Sequence, residues 1–176
     1  MKRNISLWQF AGFAFTSLLG TLLHYLYELT GRSVLAAPFS GVNESTWEHM
    51  KLLFFPLFAF AIIQSFFFKD YKGFWCVKLA GTAVGLILIP AIFYTYNGAF
   101  GKSPDWFNIA IFFICAAVVF LLEAYLLKKD SFKCKRRWIP IALLCVIGVL
   151  FILFTFITPT LPLFLDPLTG TYGING

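Results

Sequence analysis

Histidine and carboxylate side chains are scarce in this sequence, and several of them fall close together. His24 and Glu28 lie near the end of one apolar segment, and the run NESTWEH at residues 43–49 opens the next. Imidazole nitrogens and carboxylate oxygens are ligands that zinc and similar divalent ions take in proteins. We therefore predict a divalent metal such as zinc as the candidate cofactor, with His24, His49 and Glu48 as its ligands.

The same run also has a purely structural explanation. Ser45 and Glu48 have the spacing of a capping box, in which two side chains bond the free amides of a helix start. Asn43 is itself a favourable cap, and acids early in a helix suit the positive end of its dipole. On one helix Glu44 and Glu48 share a face, whereas His49 points about 100° away from Glu48. A metal ion would therefore need a ligand from a second helix.

Further polar residues are predicted to lie at the same end of the molecule. Five of the eight acids and both histidines fall on that side once the membrane topology below is applied. Ionisable groups inside a membrane are costly and usually face the bundle interior with partners, so we expect an outward-facing polar pocket. The candidate ligand-binding residues are His24, Glu28, Asn43, Glu44, Trp47, Glu48, His49, Tyr94, Tyr96, Asn97 and Asp166, with Glu44 and Glu48 as candidate catalytic carboxylates.

The composition is that of a membrane protein. The 176 residues are 60% hydrophobic and only 12% charged, whereas soluble domains carry about 25% charged residues. A helix needs about 20 apolar residues to cross the hydrocarbon core. We predict an all-α bundle of five transmembrane helices in a single transmembrane domain, residues 1–176. The spans are predicted at about 7–29, 45–68, 74–96, 106–127 and 138–157, followed by an extended outer tail at 158–176.

Lysine and arginine are divided unequally between the two sides of these spans. Eleven flank one side and three flank the other, and an excess of basic residues marks the cytoplasmic side of a membrane. We therefore predict that the amino terminus is in the cytoplasm and the carboxyl terminus outside. This asymmetry also accounts for the net charge of +6, so we expect membrane lipids as partners and no nucleic acid.

The cysteines and glycines add two expectations. None of the four cysteines falls in a predicted outer loop, so we expect no disulfide. Small and polar residues recur at four-residue steps in the first span and small residues in the third, a pattern that allows close helix contact, within the chain or with partner helices. The residues of these ridges are Gly12, Thr16, Gly20, His24 and Glu28 in the first span, and Gly81 and Gly85 in the third.

Three segments resemble a known family. They are HYLYELTG at 24–31, VNESTWEH at 42–49 and PLFLDPLTGTYG at 162–173. They look like the corresponding segments of a family of small bacterial integral membrane proteins of unknown function, and the likeness covers nearly the whole chain. The resemblance implies a location in the bacterial cytoplasmic membrane. It implies no activity and assigns no role to any residue.

Three functions remain open. The first is binding or transport of a small polar solute in the outward-facing pocket. The second is a metal-dependent hydrolase or transferase that acts on a lipid or peptide at the outer leaflet, with His24 and His49 as ligands and Glu44 or Glu48 as ligand or general base. The third is a helper subunit of a membrane complex. We rank binding or transport first, because no acid–base pair is securely placed, and whether the protein is an enzyme stays open.

Cysteine labelling in intact cells tests the topology. We expect the loops at 69–73 and 128–137 in the cytoplasm and those at 31–46, 97–105 and 159–176 outside. A cysteine placed at Ser103 should react with a membrane-impermeant maleimide, and one placed at Ser131 should not. Strong labelling at Ser131 with none at Ser103 would overturn the orientation.

Overall fold

The computed structural model describes residues 4–129 and 132–175, and most of these residues are helical. The long helices are α1 (Ile5–Leu29), α2 (Thr46–Ser65), α3 (Phe74–Phe100), α4 (Asp105–Lys129) and α5 (Trp138–Phe156). All five are long and apolar enough to cross a membrane. Within the described ranges there is no strand, only an isolated bridge between Leu165 and Tyr172. The prediction of an all-α, five-helix, multi-pass membrane protein is therefore confirmed.

The helix ends differ from the predicted spans by a few residues. Helix α2 ends at Ser65 and α3 continues to Phe100, three residues before and four residues after the predicted ends. Polar residues near position 97 lower the local hydropathy, but they do not interrupt backbone hydrogen bonding. Helix α3 stops at Gly101, whose positive φ of 84° is a conformation that glycine adopts without strain.

Four of the helices form a closed arrangement. Helices α1 to α4 pack in chain order, α1 also contacts α4, and α5 packs against α3 and α2. The helix bundle therefore has two ends. We name one the Glu44 end, where α1 ends and α2 begins, and the other the Lys135 end, where α4 ends and α5 begins. The glycines of both predicted ridges face helices of the same chain: Gly12 and Gly20 lie against α2 and α4, and Gly81 and Gly85 lie against α4.

A fully buried ion pair lies toward the Lys135 end. Lys78 Nζ is 2.5 Å from Glu123 Oε2, and the two side chains are 3% and 1% exposed. The rings of Phe60, Phe74 and Phe120 surround the ammonium at 5.6–5.8 Å. From the sequence, Lys78 counted as a basic residue of the cytoplasmic surface. It lies inside the bundle instead, because the missing side chain at Gly81 leaves room for the Glu123 carboxylate.

A disulfide joins Cys76, in the first turn of α3, to Cys134, in the connection before α5. The expectation of no disulfide is therefore wrong. That expectation rested on the predicted compartment, whereas folding brings the two Cα atoms to 6.0 Å, within the usual bridging range. The bridge lies at the end predicted to be cytoplasmic, where disulfides are rare. The disulfide therefore counts against the predicted orientation, which the labelling experiment above tests.

Gly20 lies where α1 closely approaches α2 and α4, and this contact generates a stability prediction. A Cβ there would lie 2.5 Å from the Phe112 ring and 3.2 Å from the Leu52 carbonyl oxygen. Gly20→Leu should therefore overpack the bundle and destabilise it by about 1–3 kcal/mol. Gly98→Leu is the matched control, because no atom lies within 4 Å of that position. Thermal unfolding in detergent should show a lower Tm for Gly20→Leu alone, and an equal tolerance of both changes would refute the close packing.

Candidate metal centre

The connection between α1 and α2 lies folded back against α1. The Ser40 hydroxyl donates a hydrogen bond to the Leu23 carbonyl at 2.5 Å and accepts one from the Tyr27 amide at 2.8 Å. The Gly41 amide also donates to the Leu23 carbonyl, at 3.3 Å. These bonds hold the residues just before α2 beside the last turns of α1, which is where His24 lies.

A buried ion pair holds the other side of this connection. Lys51 Nζ lies 2.5 Å from Glu48 Oε2 and donates hydrogen bonds to the Ala37 carbonyl at 2.9 Å and the Thr155 hydroxyl at 3.0 Å. Glu48 accepts a further bond from the Val42 amide at 3.1 Å. The two charged side chains are 0% and 4% exposed. Together they join the connection, the first turns of α2 and the last turn of α5.

The start of α2 is capped, and the cap orients His49. Ser45 Oγ accepts a bond from the Glu48 amide at 3.4 Å, and Asn43 Oδ1 accepts one from the Ser45 amide at 2.9 Å. Half of the predicted capping box thus forms. His49 Nδ1 lies 3.0 Å from the Ser45 carbonyl oxygen, which can only accept, so Nδ1 carries the hydrogen in this bond. That bond leaves Nε2 as the nitrogen of the ring that is available to a ligand.

His24, Glu44 and His49 come together at this point. His24 Nε2 is 3.6 Å from one carboxylate oxygen of Glu44, and His49 Nε2 is 3.6 Å from the other. A ligand atom from each residue lies within 4.8 Å of the other two. These separations are long for hydrogen bonds. They are close to the distance of about 3.4 Å between neighbouring ligands of a tetrahedral zinc ion, whose bonds are about 2.0–2.2 Å long.

The three side chains border a cavity of about 430 Å³. A smaller cavity of about 60 Å³ adjoins it, because Glu44, His49, Asp105 and Asn108 line both spaces. The side chains of the three clustered residues are 21–40% exposed, so a ligand can reach them. The cluster therefore lies at a surface-accessible polar site and not in the closed core.

The turn between α3 and α4 forms part of the wall of the smaller cavity. Asn97 Oδ1 accepts a bond from the Ser103 amide at 2.9 Å, and the Ser103 hydroxyl donates to Asn108 Oδ1 at 2.7 Å. Asn97, a predicted ligand-binding residue, lines the smaller cavity together with Lys102 and Ser103. Ser103 is only 4% exposed, so its exposed neighbour Lys102 is the better position for the labelling experiment.

Glu48 and Glu28 lie away from the cluster. The carboxylate of Glu48, the predicted metal ligand and candidate base, is occupied by Lys51 and is outside both cavities. Glu28 is 64% exposed and pairs with Arg32 at 3.2 Å. Its position follows from helix geometry, because each four-residue step along a helix rotates by about 40°. The ridge that is buried at Gly12 and Gly20 has therefore turned outward by Glu28.

Trp47, Asn43 and Asp166 hold the carboxyl-terminal tail and do not line the cavities. The Trp47 and Phe164 rings pack together with their centroids 4.6 Å apart. Asn43 Nδ2 donates a hydrogen bond to the Gly173 carbonyl at 3.2 Å. Asp166 is buried, and its Oδ1 accepts a bond from the Leu168 amide within a turn of the tail. The tail nevertheless reaches the site, because Pro167 and Leu168 line the smaller cavity.

The two predicted tyrosines lie on the outer surface of the bundle. The Tyr96 ring packs against the Phe107 ring with their centroids 4.1 Å apart, and Tyr94 is 40% exposed. Neither tyrosine lines the two cavities. Asp105 and Asn108 occupy the cavity wall instead, on the first turns of α4. Neither residue was among the candidates selected from the sequence. The sequence feature that could have selected them is their position directly after Ser103-Pro104, where a helix begins.

A comparison with known protein families gives a match over nearly the whole chain. The model of a family described as a family of unknown function (DUF6512) matches residues 1–174 of the chain. No protein of curated function and no solved structure matches it.

The buried pair beneath the cluster generates a prediction. Lys51→Met leaves Glu48 buried without its partner, which should cost about 3–5 kcal/mol of stability. Lys51→Met combined with Glu48→Gln removes both charges, so the double variant should regain much of this loss. Thermal unfolding of the two variants in detergent measures the difference. If the single and double variants unfolded at the same temperature, the pair would not be what stabilises the connection.

Proposed function

The chain belongs to the DUF6512 family, whose function is unknown, and we propose that it binds a divalent metal ion, zinc in the first place, through His24, Glu44 and His49. The observation that carries this proposal is the geometry of the cluster, in which two imidazole nitrogens face the two oxygens of one carboxylate at 3.6 Å. The ion would present its remaining coordination position to the cavity and hold a polar ligand there.

The bond from His49 to Ser45 has the form that is found in zinc sites. Zinc-bound histidines commonly donate their second ring N–H to a backbone carbonyl, which fixes the tautomer and the ring orientation. With Nδ1 engaged in this way, Nε2 is directed toward the Glu44 carboxylate. A divalent ion between these two groups would bind both of them and His24 at the same time.

Binding of a small polar solute, the first function predicted from the sequence, fits this site. The cavity walls present the amide of Asn97, the carboxylate of Asp105 and the ammonium of Lys102. An ion with three protein ligands retains a coordination position for an oxygen of the solute. We propose that the Glu44 end faces outward and the Lys135 end faces the cytoplasm of a bacterial cell, as the basic residues favour.

A metal-dependent hydrolase is the second candidate, and one observation favours it. Asp105 lines both cavities without belonging to the cluster, so the site has a carboxylate that is free to accept a proton. Metal-bound water is the nucleophile of many hydrolases with three protein ligands. In that case Asp105→Asn should retain the metal and abolish turnover of an ester or phosphodiester substrate, whereas a binding protein shows no turnover with either residue.

Metal binding is tested on the purified protein in detergent. After removal of metal with a chelator, we expect the chain to bind about one zinc ion, measured by calorimetry and elemental analysis. Cobalt(II) should give the intense visible absorption of a tetrahedral site. His49→Ala and Glu44→Gln should each weaken binding by more than roughly 100-fold, because even outer partners of metal ligands contribute 10–100-fold.

Glu28→Gln is the matched control for this experiment. Glu28 is an acid of the same helix end, but it is exposed and paired with Arg32, so its loss should leave metal affinity unchanged. Stability measurements on each variant separate lost ligands from lost structure. Equal affinity in the wild-type protein and the His49→Ala variant would rule out the proposed centre.

A further inference from the structure

A groove on the outside of α1 and α4 meets the cavity of the metal centre. Leu18, Leu22 and Leu29 line this groove, and Thr21, Tyr25 and Phe113 line both the groove and the cavity. The two spaces are therefore neighbours, with these three side chains between them, at the junction of α1 and α4. A ligand that enters from the surroundings of the bundle on this side has only these side chains to pass.

The groove faces the region that lipid occupies. Leu18 is 75% exposed, Leu22 54% and Leu29 74%, although all three belong to a helix that is long and apolar enough to cross a membrane. Exposed leucines on such a helix contact acyl chains, because the hydrocarbon core holds no water. The membrane itself thus provides the occupant of this groove.

The depth of the cluster matches the level of lipid headgroups. Helix α1 has 25 residues, about 37 Å at 1.5 Å per residue, which exceeds the hydrocarbon core of about 30 Å. His24 precedes the last residue of α1 by five residues, about 7 Å along the helix axis. The metal centre therefore lies near the boundary where hydrocarbon gives way to glycerol and phosphate.

The charges around the cavity favour an anionic group. The side chains that carry formal charge there are Glu44, Asp105 and Lys102. A bound divalent ion changes their net charge from minus one to plus one. Phosphate oxygens coordinate divalent metals well and are also bound by lysine as a point charge.

We propose that the ligand of the metal centre is a membrane phospholipid, whose phosphate reaches the ion between α1 and α4 while an acyl chain remains in the part of the groove lined by Leu18 and Leu22. This inference rests on the proposed function, because the ion recognises the phosphate. A water-soluble phosphate ester has the same headgroup chemistry but makes no use of the groove. The acyl chain is therefore the feature that distinguishes the two sources of phosphate.

The experiment compares a lipid with its own headgroup fragment. Dioctanoyl phosphatidylglycerol and glycerol 3-phosphate are titrated into the cobalt-loaded protein in detergent, and the visible spectrum reports coordination of phosphate. Native mass spectrometry measures lipid retention separately, with and without metal. Leu22→Trp fills the groove without touching a metal ligand. Leu121→Trp is the matched control, because Leu121 is 69% exposed on α4 and does not line the groove.

We expect the lipid to shift the cobalt spectrum at a concentration at least tenfold lower than glycerol 3-phosphate. Leu22→Trp should remove this advantage and leave both metal binding and the response to glycerol 3-phosphate unchanged, and Leu121→Trp should behave as wild type. An equal response to the two compounds, or an unchanged lipid response in Leu22→Trp, would overturn the lipid inference while the metal centre stands. Lipid retention that depends on the groove in a chain that binds no metal would instead refute the proposed function.

Discussion

The Glu44 end of this protein is organised around the buried pair of Lys51 and Glu48. Two charges removed from water are stable only when both find partners, and here three further groups, two from the connection between α1 and α2 and one from α5, supply them. The Ala37 carbonyl, the Val42 amide and the Thr155 hydroxyl bond the pair directly. The connection between α1 and α2 can therefore take few other paths, and its course determines where the neighbouring polar residues lie.

The candidate metal centre is a consequence of that path. Glu44 belongs to the connection, His49 to the first turn of α2 and His24 to the end of α1, so no two of the elements alone would assemble the cluster. The cap at Ser45 then fixes the His49 ring through its Nδ1. In this way a structural explanation of the run NESTWEH and a functional one are compatible, because the cap that starts the helix also orients a ligand.

The opposite end of the bundle also contains a buried ion pair. Lys78 and Glu123 pair among phenylalanine rings, in a space that exists because Gly81 has no side chain. Glycine on one helix and a large side chain on the next recur at Gly12, Gly20 and Gly85. Close packing of this kind replaces the hydrophobic effect as the force between helices in lipid, and it leaves α1 and α4 with an exposed outer face.

The sequence by itself determined the fold class, the five helices and the end of the molecule where polar residues gather. These follow from segment length and apolar content, which act locally and need no partner. The larger set of residues that it predicted for a site includes His24, Glu44 and His49, whose side chains lie together in the structure. Only the tertiary structure decided that Glu44 and not Glu48 faces the histidines, and that Glu28 and the tyrosines lie outside. It also decided that Asp105 and Asn108 line the cavity and that Cys76 bonds to Cys134. Each of these contacts depends on which helices are neighbours and on the direction in which a side chain points at a given residue of its helix. That direction rotates by about 40° for each four-residue step, so a few steps move a side chain from the interior to the lipid.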